Sequence, residues 1–396
     1  MRLRRTPLIA IATAVLGTGA LTAALLTTAT TADAQSARTS QPAGTAQPAG
    51  TARLADTARL AGVPWHRVGP GWVLAQYTTA APEGGKTGPV TLYLISPGGA
   101  RYQLARWPDL RSAPELVAWS PDGKRALFQV FSGKGGAGQL TLATGRMRTF
   151  VMQGNATPIG YTTPRGLNIV GTRPSGNGFA EGRYSLSGRL LQPLGSGGAL
   201  YTPSGIEFAA GASHGIKLVS NRGSLIRQLP VPGTSANTCG PVRWWNSGTI
   251  LASCERPGTG PRLLWLVQVS GARPKALTLP HDPRTTGDFG DLDAWQLPSG
   301  LYLQAAGACG VLHIYRQARN GSIKLVIPPH TTDDIRVLTA RGSRLLVQAP
   351  TDCVGSVSLL WYNPATQAEQ WLIRPPGHVI GVTVAVPFYS RQNGNL

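Results

Sequence analysis

The chain has 396 residues, including 50 Gly and 32 Pro, with 14% charged and 42% hydrophobic residues and a formal net charge of +20. A disordered chain would have a lower apolar content, and a protein built of long helices would have far fewer turn-forming residues. The composition therefore predicts many short strands separated by turns, with enough chain for a large core.

The amino terminus predicts export. Arg2, Arg4 and Arg5 precede an apolar run over residues 8–26, and Ala32-Asp33-Ala34 is an A-x-A cleavage site. We therefore predict a signal peptide over residues 1–34 and a secreted protein, extracellular or periplasmic, with no integral membrane span after cleavage. The alternative is an uncleaved anchor, because a run of this length could just span a bilayer.

A low-complexity segment follows the predicted signal. Residues 41–46 and 47–52 repeat Gln-Pro-Ala-Gly-Thr-Ala, and bulky residues are scarce up to Gly62. Such a composition is typical of a flexible spacer. We expect a disordered spacer over 35–62 and a folded domain over 63–396.

A repeated unit runs through the predicted domain. It consists of an apolar strand, a polar turn ending in Gly, a second strand, a loop, a third strand, a tight turn and a fourth strand. The turn glycines lie at 71, 123, 166, 205, 248, 300 and 342. Their mean spacing of about 45 residues matches a four-stranded propeller blade, and the short apolar runs have the period of strands.

This repeat predicts an all-β fold, a β-propeller of seven four-stranded blades. The segment from Gly381 to Phe388 lies beyond the seventh unit. It is either a closing strand that pairs with the first blade or the remnant of another blade, so six or eight blades stay open.

One unit carries a recognisable motif. The segment Trp119-Ser-Pro-Asp-Gly-Lys-Arg-Ala-Leu-Phe128 resembles the repeat signature of the TolB-like, WD40-like (PD40-type) propeller family. Asp122-Gly123 is expected to form the hairpin turn between the first two strands of the unit. The resemblance implies a propeller over about 63–390, and it implies no catalytic residues.

Four cysteines in an exported protein predict two disulfides. Cys239 and Cys254 are symmetric about the turn at Asn246-Ser247, and Cys309 and Cys353 occupy equivalent loops after the second strands of the sixth and seventh units. We expect the pairs Cys239–Cys254 and Cys309–Cys353. Metal binding by these cysteines is the rival interpretation, but no C-x-x-C spacing supports it.

Three histidines share a place in the repeat, in the connection from one blade to the next. They are accompanied by aspartates, and the candidate ligand-binding residues are His281, His330, His378, Asp288, Asp291 and Asp333. A ring of His and Asp at the mouth of the central channel could bind a cation or a polar ligand. The alternative is that these are ordinary polar residues of surface turns.

A serine-hydrolase site is not expected. Residues 211–215, Gly-Ala-Ser-His-Gly, match the G-x-S-x-G pattern, but a strand rather than a helix follows. We predict no catalytic residues, no cofactor and no resident metal.

Two functions remain open from the sequence. The first is a secreted, monomeric, non-catalytic propeller that binds a protein or an envelope ligand; the alternative is a propeller enzyme, a lyase or hydrolase of envelope polymers, using the His/Asp ring with a metal. A third is a surface protein held by the uncleaved anchor. The basic residues are scattered along the sequence, which favours an anionic cell-wall polymer or acidic lipid surface over nucleic acid.

Overall fold

The computed structural model describes residues 53–54, 60–79, 88–131, 136–176, 178–195, 198–212, 214–234, 239–255, 262–278, 290–307, 311–350 and 357–385. These residues are nearly all in strands and turns, so the predicted all-β class is confirmed. No helix in these ranges has the length and apolar character needed to cross a bilayer.

Five consecutive sheets are four-stranded antiparallel meanders, and we name them B to F in chain order. Sheet B contains β5 (Glu115–Trp119), β6 (Arg125–Val130), β7 (Gly136–Thr141) and β8 (Arg146–Val151). Sheet C contains β9 (Thr157–Tyr161), β10 (Ile169–Ser175), β11 (Gly178–Tyr184) and β12 (Leu190–Gly195). Sheet D contains β13 (Ala199–Tyr201), β14 (Glu207–Ala212), β15 (Gly215–Ser220) and β16 (Leu225–Pro230).

The next two sheets repeat the same order. Sheet E contains β17 (Cys239–Asn246), β18 (Thr249–Cys254), β19 (Leu263–Gln268) and β20 (Lys275–Ala276). Sheet F contains β21 (Asp291–Leu297), β22 (Gly300–Ala306), β23 (Leu312–Gln317) and β24 (Ile323–Leu325).

The remaining strands bring the two ends of the fold together. Sheet G contains β25 (Arg336–Arg341), β26 (Arg344–Pro350), β27 (Val357–Asn363) and β28 (Ala368–Ile373). In sheet A, β2 (Val73–Thr78), β3 (Val90–Ile95) and β4 (Arg101–Trp107) are joined by β29 (His378–Val384), which pairs with β2. Of the two alternatives for the segment after the seventh unit, the closing strand is therefore the one present, and it is the first strand of sheet A.

The first strands of the sheets form the inside of a ring. The strand β29 contacts β5 and β25, β5 contacts β9, β13 contacts β17, and β21 contacts β25. The second to fourth strands lie progressively outward in each sheet. This arrangement is a β-propeller, and the number of blades stays a prediction for the whole chain.

The hydrophobic core lies between neighbouring sheets. Each described cluster joins two consecutive sheets; for example, Trp107 and Phe128 pack in the cluster between sheets A and B. Trp361 and Val379 belong to the cluster between sheets G and A. Burial of these side chains therefore depends on sheet-to-sheet packing all around the ring.

The motif turn has the predicted hairpin geometry. Gly123 has a φ of 73°, in the left-handed region that favours glycine, and Ser120 accepts from its amide at 2.8 Å. The Asp122 carboxylate accepts from the Ser120 hydroxyl at 2.5 Å and from Arg125 at 3.0 Å. The prediction that Asp122-Gly123 joins the first two strands is confirmed.

Two details of the amino-terminal region differ from the sequence interpretation. Arg53–Leu54, within the predicted spacer, forms the short strand β1 that pairs with β4, and Leu60 is buried in the core. No strand precedes the turn that ends at Gly71, since residues Trp65–Arg67 form a short 3-10 helix there. The carboxy-terminal strand β29 takes that place.

Buried glutamines on second strands connect one sheet to the next. The amide of Gln76 donates to the Pro114 carbonyl at 2.6 Å, and its oxygen accepts from the Leu116 amide at 2.7 Å. Gln304 makes the same pair of bonds to the backbone at Ile335 and Val337. Each glutamine thus satisfies two backbone groups of the following first strand, in a region that is closed to water.

We predict that Gln76→Leu lowers the free energy of unfolding by about 3 kcal/mol, because two buried backbone groups lose their partners. The measurement is urea denaturation followed by circular dichroism. Gln268→Leu, at an exposed position, is the control and should change stability little. Equal stability of the Gln76 variant and the wild type would contradict the proposed link between the sheets.

Candidate functional site

The two ends of the propeller differ in how the chain crosses them. We call the end that carries the connections between sheets, and those from second to third strands, the loop face. The opposite end carries the tight turns from first to second and from third to fourth strands, and we call it the turn face. All first strands start at the loop face, so their first residues surround one mouth of the central channel.

Four consecutive first strands begin with an ionisable residue. Around the ring, sheets F, G, A and B present Asp291, Arg336, His378 and Glu115 in that order. Asp291 is fully buried and His378 is 5% exposed. A negative, a positive, a histidine and a second negative residue thus follow one another along one half of the channel mouth.

Burial perturbs the ionisation of this group. It raises the pKa of the Glu115 carboxyl and lowers the pKa of the Arg336 guanidinium. Both shifts favour the uncharged form, since a low-dielectric environment destabilises charge. Perturbed ionisable residues at a concave opening are typical of binding or catalytic sites.

A buried glutamate contacts the start of the first strand of sheet D. Glu181, on the third strand of sheet C, is 7% exposed, and the Ala199 amide at the start of β13 donates to it. Burial raises the pKa of Glu181 to about 7, and the Ala199 bond opposes this shift. Near neutral pH this carboxyl is therefore present in both its protonated and its ionised form.

Sheets E and F are joined by an ion pair on their first strands. Arg243 Nε donates to Asp293 Oδ1 at 2.8 Å, and the guanidinium lies 5.2 Å from the Trp245 ring and 5.7 Å from the Trp295 ring. Burial raises the pKa of Asp293, and Arg243 counteracts that shift. The aromatic rings and the carboxylate hold the guanidinium in a fixed place.

A belt of aliphatic residues marks the first strands. In six of the first-to-second strand pairs the register shifts by one residue, which is a β-bulge. Each of these pairs has a shift at an unpaired aliphatic residue that is partly exposed: Val117, Ile159, Val242, Leu292, Leu338 and Ile380. Sheet E has a second shift, at the buried Trp245. Ile159, Val242, Leu338 and Ile380 also pack against the core clusters between sheets. All six residues of this belt lie on the strands that border the channel.

The predicted ligand-binding residues separate in the structure. His378 and Asp291 both lie at the mouth, on the first strands of sheets A and F, and the first strand of sheet G lies between them. The ring nitrogen Nδ1 of His330 lies 2.8 Å from the carboxylate of Glu369 on the outer strand of sheet G. The backbone carbonyl of Asp333 accepts a hydrogen bond from Nδ1 of His313 at 3.1 Å. His281 and Asp288 lie outside the described residues.

A compact metal site is not seen in this part of the chain. Among the described residues, no group of three or more His, Cys, Asp or Glu side chains could hold a metal ion. The predicted His/Asp ring, whose members at 281 and 288 lie outside those ranges, stays a prediction.

Sequence reasoning missed Arg336, Glu115 and Glu181. Arg336 and Glu115 each stand a few residues before a repeat turn, directly at the start of a first strand, so alignment of the units could have found them. Glu181 has no such signal, because it lies on a third strand.

One disulfide is present in the described region. Cys239 and Cys254 face each other across β17 and β18 and are bonded. Cys309 and Cys353 lie outside the described residues. In the G-x-S-x-G pattern, Ala212 pairs with Gly215 and β15 follows, so the segment is a hairpin between two strands; Ser213 itself is outside the described residues.

We predict that Cys309 and Cys353 are found joined when the unreduced protein is digested and its peptides are identified by mass spectrometry. Their equivalent places in neighbouring units motivate this expectation. Recovery of Cys309 linked to Cys254, or of free thiols at both positions, would contradict it.

A second prediction concerns pH and stability. In the folded chain burial raises the pKa of the Glu181 carboxyl to about 7, whereas in the unfolded chain this carboxyl loses its proton near its ordinary pKa of 4.5. Stability therefore falls as pH rises through this window. At pH 8 we expect Glu181→Gln to be more stable than the wild type by about 2 kcal/mol, and at pH 4 the two should unfold alike. Thermal unfolding at both pH values tests this, and equal stability at pH 8 would refute it.

Comparisons with known proteins identify no family for this chain. No family model matches the chain, and no curated protein matches it. Among solved structures, the chain is similar to TolB from Acinetobacter baumannii (14% identity, TM-score 0.40, covering 79% of this chain and 66% of that one). It is also similar to an oligogalacturonate lyase from Vibrio parahaemolyticus (13% identity, TM-score 0.43, covering 76% of this chain and 86% of that one). A third similar structure is a Mycobacterium tuberculosis puromycin-hydrolyzing peptidase (13% identity, TM-score 0.46, covering 79% of this chain and 55% of that one).

Proposed function

We propose that this protein is an exported, non-catalytic propeller that binds a protein or an envelope ligand at the channel mouth of its loop face. The signal peptide predicted over residues 1–34 supports export, and we expect the protein to act as a monomer. It would serve as a binding platform at the cell envelope.

The observation that carries this proposal is the run of ionisable residues at the start of four consecutive first strands. Asp291, Arg336, His378 and Glu115 stand on rigid, paired strands and not on loops. Rigid strands hold polar groups in a fixed arrangement, so little conformational entropy is lost when a ligand binds.

The composition of the channel suggests what kind of ligand fits. Charged and polar groups of both signs lie at the mouth, and the aliphatic belt lies further along the same strands. A ligand with a polar end and an apolar part, such as a peptide segment, matches this order. The polar groups at the mouth would select the ligand, and contacts with the aliphatic belt would provide most of its binding free energy.

The alternative is a propeller enzyme that acts on envelope polymers. Glu181 favours it, because a carboxyl with a pKa of about 7 can donate and accept protons at neutral pH. This alternative requires a second group near Glu181, such as a metal held by the predicted His/Asp ring.

The proposal is tested with immobilised protein and an extract of the native envelope. The wild type should retain a component that mass spectrometry identifies. Glu115→Gln combined with Arg336→Gln should bind that purified component about 10-fold more weakly, because charged hydrogen bonds are lost. Isothermal titration calorimetry gives the affinities.

The control variant is Asp109→Asn, in the connection between sheets A and B, which should bind like the wild type. Thermal unfolding verifies that both variants are folded. If the retained component is converted to a product by the wild type and not by Glu181→Gln, the enzyme alternative replaces the proposal. Equal binding by all variants would rule out the channel mouth.

A further inference from the structure

Six successive sheets present an arginine at the same place on the turn face. Each lies in, or directly after, the turn from the third to the fourth strand of sheets A to F. The residues are Arg101, Arg146, Arg189, Arg222, Arg273 and Arg319, and all six are exposed. None of them forms an ion pair with a described residue.

The first-to-second strand turns add further cations. Lys124, Arg165 and Arg341 are exposed in sheets B, C and G. In or directly after the turns of this face, which lie entirely within the described ranges, the acidic residues are Asp122 and Glu207. The Asp122 carboxylate is already paired with Arg125 at 3.0 Å, so the face has a strong positive potential.

Hydrogen bonds between neighbouring sheets show that these turns form one continuous surface. Arg125 donates to the Arg165 carbonyl at 2.9 Å, linking the turns of sheets B and C. Thr163 donates to the Thr202 carbonyl at 2.6 Å, linking sheets C and D. The arginines that lie far apart in the sequence are thus gathered on one side of the molecule.

Exposed aliphatic residues project from the same face. Leu167 and Ile206 directly follow the turn glycines of sheets C and D, and they are 63% and 68% exposed. Leu225, after the next turn of sheet D, is 61% exposed. The backbone amide of Asn221, in that same turn, donates to the Ile206 carbonyl at 3.1 Å. Ile206 and Leu225 therefore lie at adjoining turns.

We propose that the turn face rests on an anionic lipid surface. Clustered arginines are attracted to acidic headgroups, and exposed aliphatic side chains between them can enter the boundary between headgroups and acyl chains. Both features lie on one face of a rigid ring, as contact with a planar surface requires.

A soluble polyanion would contact the arginines of this face but would leave its exposed aliphatic residues in water. It would be bound by the arginines, but it has nothing for Leu167 and Ile206 to bury against. A lipid surface uses both. Docking in this way directs the loop face away from the membrane, whatever that face binds, so this proposal does not depend on the one above.

The test measures sedimentation of the protein with vesicles of phosphatidylcholine, with and without phosphatidylglycerol. The chain used starts at Gln35, which retains every described residue and removes the apolar run at 8–26. We expect binding to the phosphatidylglycerol vesicles only. Replacing Arg146, Arg189 and Arg222 together by Gln should lower the partition coefficient about 100-fold.

A matched variant controls for net charge. Arg106, Arg111 and Arg374 are also exposed but lie at the loop face, and their triple replacement by Gln should reduce binding far less. Equal losses in the two triple variants, or no binding by the wild type, would overturn the proposal.

The apolar residues separate the lipid surface from a soluble polyanion. Leu167→Ser with Ile206→Ser should weaken vesicle binding, most clearly at high salt, where electrostatic attraction is screened. The same variant should bind long-chain inorganic polyphosphate as the wild type does. If vesicle binding is unchanged by this variant and polyphosphate abolishes it, the occupant is a soluble polyanion and the proposal fails.

Discussion

Pairing of β29 with β2 is the interaction on which the rest of the molecule depends. It supplies sheet A with its innermost strand from the carboxy-terminal end of the fold and connects sheet A to sheet G. The core cluster around Trp361 and Val379 is buried only because these two sheets meet. The same strand brings His378 between Arg336 and Glu115, so the composition of the channel mouth is a product of ring closure.

The meander of each sheet separates two chemical surfaces. All connections between sheets fall at one end, and all tight turns fall at the other. Short turns leave little room for variety, and here they carry Gly, Ser and Arg in nearly every sheet. The longer connections carry histidines and carboxylates. A single folding pattern thus yields a basic, partly apolar turn face and a polar loop face with a channel opening.

Local patterns in the sequence were sufficient to predict the strands and turns. The spacing of the turn glycines and the Asp122-Gly123 hairpin are properties of short segments, and the structure has them. The closing role of β29 was left open, because pairing between residues near 75 and near 380 has no local signal. The glutamine links, such as Gln76 to Leu116, were missed although an apolar-Gln-apolar triplet recurs on second strands.

The charge distribution shows why composition alone was misleading. Along the sequence the arginines are isolated, since consecutive members of the turn-face set are more than thirty residues apart. In the ring they occupy the same position of neighbouring sheets. Predicting this required the strand register within each unit, because a one-residue shift changes the face on which a side chain lies.

The order of the strands in sheet A has a consequence for synthesis of the chain on the ribosome. Sheets B to G are each built from contiguous sequence, so each can form as soon as its own segment has emerged. Sheet A has its second, third and fourth strands early and its first strand last. Until β29 has been synthesised, β2 has a free inner edge, and its backbone groups are open to pairing with another chain. During synthesis, sheet A is therefore the sheet most exposed to pairing with a strand of another chain.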